Sequence, residues 1–266
     1  MWSAYLEALV LILAMGAVTW AYSVYRRDVS IVDSLWSLMF LAAALLFTWR
    51  APDINLRTTV LLALVALWAI RLSAYLTIRN WGQPEDRRYQ AIRRNNEPNF
   101  GIKSLYIVFG LQGMLAWIIC VPLLVGLYTP LAFHWLDVLA ISLWLAGFTF
   151  EAVADRQLRR FKANSTNAGK VLDTGLWRYS RHPNYFGEFL IWWGFYLFAL
   201  PAGGWWTVYA PLLMSFLLLK VSGVVLMEKD IGERRPAYRS YVARTSAFFP
   251  WPPTPAMPRA REEYQQ

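Results

Sequence analysis

Seven runs of mostly apolar residues punctuate the chain: Tyr5–Tyr25, Val29–Trp49, Thr58–Ile78, Ser104–Tyr128, Phe133–Ala154, Tyr185–Leu200 and Trp205–Met227. A helix needs about 20 such residues to cross a bilayer, so each run predicts a span. The sixth is short unless it begins near Arg181, and Trp192, Trp193, Trp205 and Trp206 put its outer end among interfacial aromatics. Thr129-Pro130 and Pro201-Ala202-Gly203-Gly204 supply turn chemistry between spans. With no repeat, low-complexity tract or long linker, residues 1–266 read as one all-α domain, an integral membrane bundle of seven transmembrane helices. Residues 228–266 form a cytoplasmic tail and a candidate cofactor lid.

The polar stretches between the runs set the orientation. With the N-terminus outside, the inside segments are Arg26–Asp28, Arg79–Lys103, Asp155–Pro183 and everything after Met227. Of 26 Lys and Arg, 22 fall in those segments, 2 outside (Arg50 and Arg57) and 2 within spans (Arg71 and Lys220). The positive-inside rule therefore predicts an outside N-terminus and a cytoplasmic C-terminus.

Composition agrees with a membrane protein. Apolar residues make up 57% of the chain and charged residues 16%, against about 25% charged in soluble domains. The net charge of +9 suits anionic lipid headgroups or a phosphorylated cofactor. Nucleic acid is not an expected partner, because the aromatics lie in apolar spans and not among the basic loop residues. A single cysteine, Cys120, and two histidines, His134 and His182, are too few for a disulfide framework or a histidine-built metal centre. The first apolar run lacks a signal-peptide pattern and is expected to be retained.

Charges at membrane depth mark candidate chemistry. Glu7 and Asp137, near helix ends, read as snorkelling side chains. Asp33 lies about 6 Å inside the second helix, and Tyr75 lies at matching depth on the third, which runs the other way. Arg71, Tyr75 and Arg79 recur every four residues as one polar stripe. An ion pair between Asp33 and Arg71 is the structural alternative.

The second long loop carries Gly175-Leu176-Trp177-Arg178-Tyr179-Ser180-Arg181-His182-Pro183-Asn184-Tyr185-Phe186-Gly187-Glu188. Upstream stand Glu151, Asp155, Arg159, Arg160 and Lys162, and downstream a basic tail with Arg234, Arg235, Tyr238 and Tyr241. Arginine and lysine suit phosphates, whereas Asn184 and Glu188, one turn apart, suit a carboxamide or ribose hydroxyls. A basic belt that binds lipid is the plainer alternative. Neither a Gly-x-Gly-x-x-Gly turn nor a Walker loop is present, so a nucleotide would have to sit among helices.

The Gly175–Glu188 run, Asp155, the tail, Asp33-Ser34-Leu35-Trp36 and the stretch from Arg71 to Tyr89 resemble the bacterial membrane proteins related to steroid 5α-reductases. The resemblance implies a seven-helix bundle that binds NADPH in a cytoplasm-facing cavity and reduces the C=C bond of an apolar enone, such as a Δ4-3-oxosteroid, entering from the bilayer. It matches the family's third-helix tyrosine, arginine and polar loop to Tyr75, Arg79 and Asn80. It puts cofactor positions on Glu151, Asp155, Lys162, Tyr179, Asn184 and Glu188, with Arg181 and His182 of the same motif and, from the tail, Arg234, Arg235, Tyr238 and Tyr241. Asp33 is the carboxylate nearest to the family's catalytic glutamate.

In the mechanism so implied, Tyr75 donates a hydrogen bond or proton at the substrate carbonyl and Asp33 orients it or exchanges its proton. The expected location is a bacterial inner membrane. The Arg-His-Pro-Asn-Tyr core is also similar to that of isoprenylcysteine and phospholipid methyltransferases, so an enzyme using S-adenosylmethionine is the competing reading. A lipid-binding sensor or scaffold is the non-enzymatic one.

Overall fold

A computed structural model describes residues 1–221 and 237–254. Among them the regular structure is entirely helical. Among the described residues, six helices are long and apolar enough to cross a membrane, namely α1 (Trp2–Arg26), α2 (Ile31–Arg50), α3 (Leu56–Asn80), α5 (Phe100–Ile119), α7 (Trp135–Ala163) and α9 (Gly204–Val221). Shorter helices are α4 (Arg87–Asn95), α6 (Val121–Tyr128), α8 (Pro183–Ala199) and α10 (Ala237–Arg244). The chain forms two compact units, Met1–Trp144 with Trp192–Met214 (unit 1) and Leu145–Ile191 with Ser215–Gln266 (unit 2).

Two of the seven expected runs take a different form. The sixth is α8, whose 17 residues extend only about 25 Å at 1.5 Å each. The fourth is broken near its middle. Pro122 stands at the start of α6, and the chain turns at Cys120 (φ −72°, ψ −3°). Proline has no N–H to donate and its ring crowds the carbonyl four residues back, so one straight helix cannot run through it. The seventh lies within the described residues only as far as Val221.

In unit 1, α2 is the central helix, packed on α1, α3, α5 and α6. Its buried face includes Val32, Met39, Phe40, Ala43, Ala44 and Phe47. Phe40 meets Trp192 at 4.6 Å between ring centroids, and Trp68 meets Trp192 edge-on at 5.7 Å. Phe195 closes this aromatic knot against Trp68 and Trp192. Such edge-to-face pairs each add about 0.5–1.5 kcal/mol beyond area burial. Ser37 on α2 donates to the Ala69 carbonyl on α3 at 2.9 Å. That bond sets the register of the two antiparallel helices and leaves Asp33 about half a turn from the level of Tyr75.

Local signals start and stop these helices. Asn55 caps α3 by accepting from the Thr58 N–H at 3.0 Å, while Thr58 Oγ1 accepts from the Asn55 N–H. The pair forms a capping box that satisfies two otherwise orphaned donors. Helix α1 ends at Arg27 in the left-handed region (φ 54°), and Asp28 then accepts from the Ser30 N–H at the entry to α2.

Asp137 is not a snorkelling charge. It is fully buried, and Arg57 Nε donates to it at 2.8 Å from an equally buried side chain. Arg57 also donates to the carbonyls of Gly126, at 3.2 Å, and Phe198. The Asp137 carboxylate accepts the His134 N–H at 2.8 Å as well. One guanidinium thus ties α3, α6, α7 and α8 together at one end of unit 1. Glu7 behaves as expected of an end-of-helix charge, half-buried and paired with the exposed Arg50 at 2.5 Å.

Breaking a buried ion pair strands the surviving charge and costs about 3–5 kcal/mol. Arg57→Met and Asp137→Leu should each lower the melting temperature of detergent-purified protein sharply. The double variant, which leaves no lone charge, should recover a large part of the loss.

Candidate functional site

Two polar constellations stand out, one in each unit. In unit 1, Asp33 receives two donors, Arg88 Nη2 at 2.6 Å and the Tyr89 hydroxyl at 2.6 Å. Gln112 on α5 donates to the Tyr89 oxygen at 3.0 Å. Arg88 is shared with Asp86, at 3.0 Å. Further along α4, Arg93 forks onto Glu85 at 2.7 and 2.9 Å, and Glu85 also accepts the Val29 N–H. The Asp86 N–H donates to Ser30 Oγ at 2.8 Å. These bonds fasten α4 and the loop before it across the start of α2.

The electrostatics follow from that geometry. Burial, together with the Asp33 charge, pushes the Tyr89 phenol well above its usual range and keeps it protonated. Burial alone would raise the Asp86 carboxyl, but the hydrogen bonds and charge of Arg88 together outweigh it and hold Asp86 below the ordinary value.

The other residues expected at this site lie on α3. Tyr75 is half-buried, with the Arg79 guanidinium 5.9 Å from its ring. The exposed Arg79 donates to the Asn80 side chain at 3.1 Å. Three participants escaped sequence reasoning: Arg88, Tyr89 and Gln112. The first two sit in a loop stretch that gives no apolar signal. Gln112 is a lone amide inside an apolar run, and its isolation there was the available clue.

In unit 2, α7 and α8 cross at glycines. A Cβ on Gly147 would stand 2.6 Å from the Gly187 carbonyl oxygen, and one on Gly187 would stand 2.5 Å from that of Gly147. Only two glycines allow backbones this close. The crossing brings the next turns of both helices together. Glu151, Asp155 and Glu188 are each at most 7% exposed, and Asn184 Nδ2 lies 3.4 Å from Asp155. Pro183 opens α8, where its fixed φ suits a first turn. Lys162 is exposed on the last turn of α7, and Tyr179 is exposed too.

Much of the motif's remaining chemistry holds the tail. Arg181 Nη1 donates to the carbonyls of Thr245, at 2.6 Å, and Val242, at 3.2 Å, while its N–H donates to Ser246 O at 2.9 Å. Ser180 Oγ donates to Phe248 O at 2.7 Å and accepts the His182 N–H at 3.1 Å. The Tyr241 hydroxyl donates to the Trp177 carbonyl. His182 stacks on Tyr185 at 5.5 Å, and Tyr238 packs on Tyr241 at 5.5 Å. Arg244 pairs with Asp173. Arg181 and Tyr241 therefore clamp residues 237–254 to the motif. Arg234 and Arg235, with the rest of 222–236 and 255–266, lie outside the described residues.

Comparison with known proteins defines the class. Residues 19–245 match the family described as protein of unknown function DUF1295, and the chain belongs to that family. It is also 28% identical over 276 positions to an uncharacterized protein of the fission yeast Schizosaccharomyces pombe, covering 92% of this chain and 79% of the relative. No solved structure matches.

Two outcomes follow from this geometry. Gly187→Ala forces a methyl group into backbone and should cost about 3 kcal/mol, the upper end of overpacking, read as a lower melting temperature and poor folded yield. Asp86→Asn keeps the α4 cap but removes the depressed carboxyl. A lowered folded pKa gives stability that is present above the ordinary Asp value of about 3.9 and is lost as pH falls through the folded one. The wild type should therefore melt above Asp86→Asn at pH 7, and the gap should close on acidification.

Proposed function

We propose that this protein is an NADPH-dependent membrane reductase that acts on the C=C bond of an apolar enone, such as a Δ4-3-oxosteroid. In this reading it spans an inner membrane seven times, with its N-terminus outside and its active site and C-terminus facing the cytoplasm. The seventh crossing would be α8, accommodated by local thinning of the bilayer.

The observation that carries the reading is the make-up of unit 2. Buried Glu151, Asp155 and Glu188 and half-buried Asn184 are accompanied by exposed Arg156, Arg159, Arg160, Lys162 and Arg178. Carboxylates and a carboxamide suit ribose hydroxyls and the nicotinamide amide. Guanidinium and ammonium groups suit a pyrophosphate and a ribose phosphate. That donor set fits a pyridine dinucleotide.

NADPH, when bound, supplies a hydride for the β-carbon. Negative charge then builds on the carbonyl oxygen, and a fixed donor in a water-poor site lowers that barrier. Tyr75 is the proposed donor, and Arg79, whose guanidinium stands over its ring at 5.9 Å, polarises the phenol. Asp33 is the carboxylate assigned to orient Tyr75 or exchange its proton. Its own position is fixed by Arg88 and Tyr89.

Ligand-induced melting shifts test the proposal against its rivals. NADPH at about 100 times its Kd should stabilise the purified protein by about 2.7 kcal/mol, and S-adenosylmethionine should not. The reverse result would make the protein a methyltransferase, and no response to either would favour a lipid-binding role. Asn184→Ala and Glu188→Ala should weaken NADPH binding without unfolding the protein. Tyr75→Phe should keep NADPH affinity and lower kcat about 100-fold or more, as loss of one oxyanion donor does. An unchanged rate in Tyr75→Phe would remove that residue from the mechanism.

A further inference from the structure

The four arginines of α4 divide into two pairs with different surroundings. Arg88 and Arg93 turn inward and are consumed by Asp33, Asp86 and Glu85. Arg87 and Arg94 are exposed, and seven residues apart they share one helix face. At the same end of unit 1, the exposed Arg26 and Arg27 close α1. Arg93 joins the two segments by donating to the Arg27 carbonyl at 3.3 Å.

The nearby carboxylates do not neutralise this outward set. Glu85, Asp86 and Asp33 are spent on Arg93 and Arg88, and Asp28 caps the Ser30 N–H at 2.8 Å. Exposed Glu97 is the acid left facing solvent among these residues. Apolar and aromatic side chains fringe the cations, with Tyr25 83%, Trp81 78% and Ile78 62% exposed at the ends of α1 and α3. Guanidinium groups beside exposed Trp and Tyr at the ends of apolar spans match the polar–apolar boundary of a lipid leaflet.

We propose that Arg26, Arg27, Arg87 and Arg94 form a binding surface for the phosphodiester headgroups of acidic phospholipids in the surrounding bilayer. The inward bonds of Arg88 and Arg93 hold α4 with Arg87 and Arg94 on its outward face. The surface requires no nucleotide and stands apart from the residues assigned to the reductase reading.

The test is lipid selectivity, measured without nucleotide by native mass spectrometry of protein titrated with phosphatidylglycerol or phosphatidylcholine. The wild type should bind phosphatidylglycerol in preference. The Arg87→Gln/Arg94→Gln double variant should lose that preference by about fivefold for each arginine removed, from about 1 kcal/mol per cation near an anionic surface. Rising salt should weaken the preference in the wild type. Because both side chains face outward, melting in phosphatidylcholine nanodiscs should be the same for variant and wild type. That control separates lost binding from lost folding.

An absence of preference in the wild type would overturn the proposal. So would an unchanged preference in the double variant, or equal stabilisation by inorganic phosphate, which would mark an ordinary anion site. NADPH-induced melting shifts in the same variant report separately on the nucleotide reading.

Discussion

A charge withdrawn from water has to bring its counter-charge with it, and unit 1 is fastened at both ends by that requirement. At one end Arg57 and Asp137 meet at 2.8 Å with no solvent exposure. At the other, Asp33 draws Arg88 and Tyr89 onto the start of α2. Between them, apart from the Ser37 hydrogen bond to Ala69, the contacts described above are apolar and aromatic, and in a bilayer such contacts distinguish poorly between helix partners because lipid tails are equally apolar. The two ionic ties therefore do what apolar packing cannot. They specify which helix ends meet, while Phe40, Trp68 and Trp192 fill the space between.

This division explains what could be read from the sequence. Spans are a matter of length and hydropathy, and most apolar runs became helices near their expected limits. Pairing is a matter of geometry. Asp137 looked like a snorkelling end charge because its partner stands 80 residues away. The sequence offers Arg71 as an ion-pair partner for Asp33, but the cation that Asp33 holds at 2.6 Å is Arg88. Arg88 belongs to a nine-residue amphipathic helix inside a loop, too short and too polar for a search tuned to spans. The break at Pro122 leaves no mark in hydropathy, because the run remains apolar on both sides.

The motif in unit 2 was legible as a cluster and only partly as a set of roles. Arginine, serine and tyrosine in an Arg-His-Pro-Asn-Tyr context suggest ligand contacts. Yet Arg181, Ser180 and Tyr241 make backbone hydrogen bonds that hold residues 237–254 to the motif. Glu151, Asp155 and Asn184 owe their places to something less conspicuous. The backbones touch at Gly147 and Gly187, and Glu151 and Asn184 stand in the neighbouring turns that this approach brings together. The glycines carry no chemistry, but the chemistry depends on them.

Such a division of labour bears on the choice between cofactors. Arg181 lies buried with donors committed to Thr245 and Val242, so it gives little support to a phosphate-binding reading. The exposed cations of α7 and Arg178 give more, since several phosphates would occupy more of them than a single carboxylate could. S-adenosylmethionine carries a carboxylate and a sulfonium but no phosphate, and the buried carboxylates would suit its ammonium group and ribose as well as they suit a nicotinamide nucleotide. The buried half of unit 2 is therefore neutral between the two chemistries. Arg156, Arg159, Arg160, Lys162 and Arg178 tip the balance, because five exposed cations favour an anionic ligand of high charge over one near neutrality.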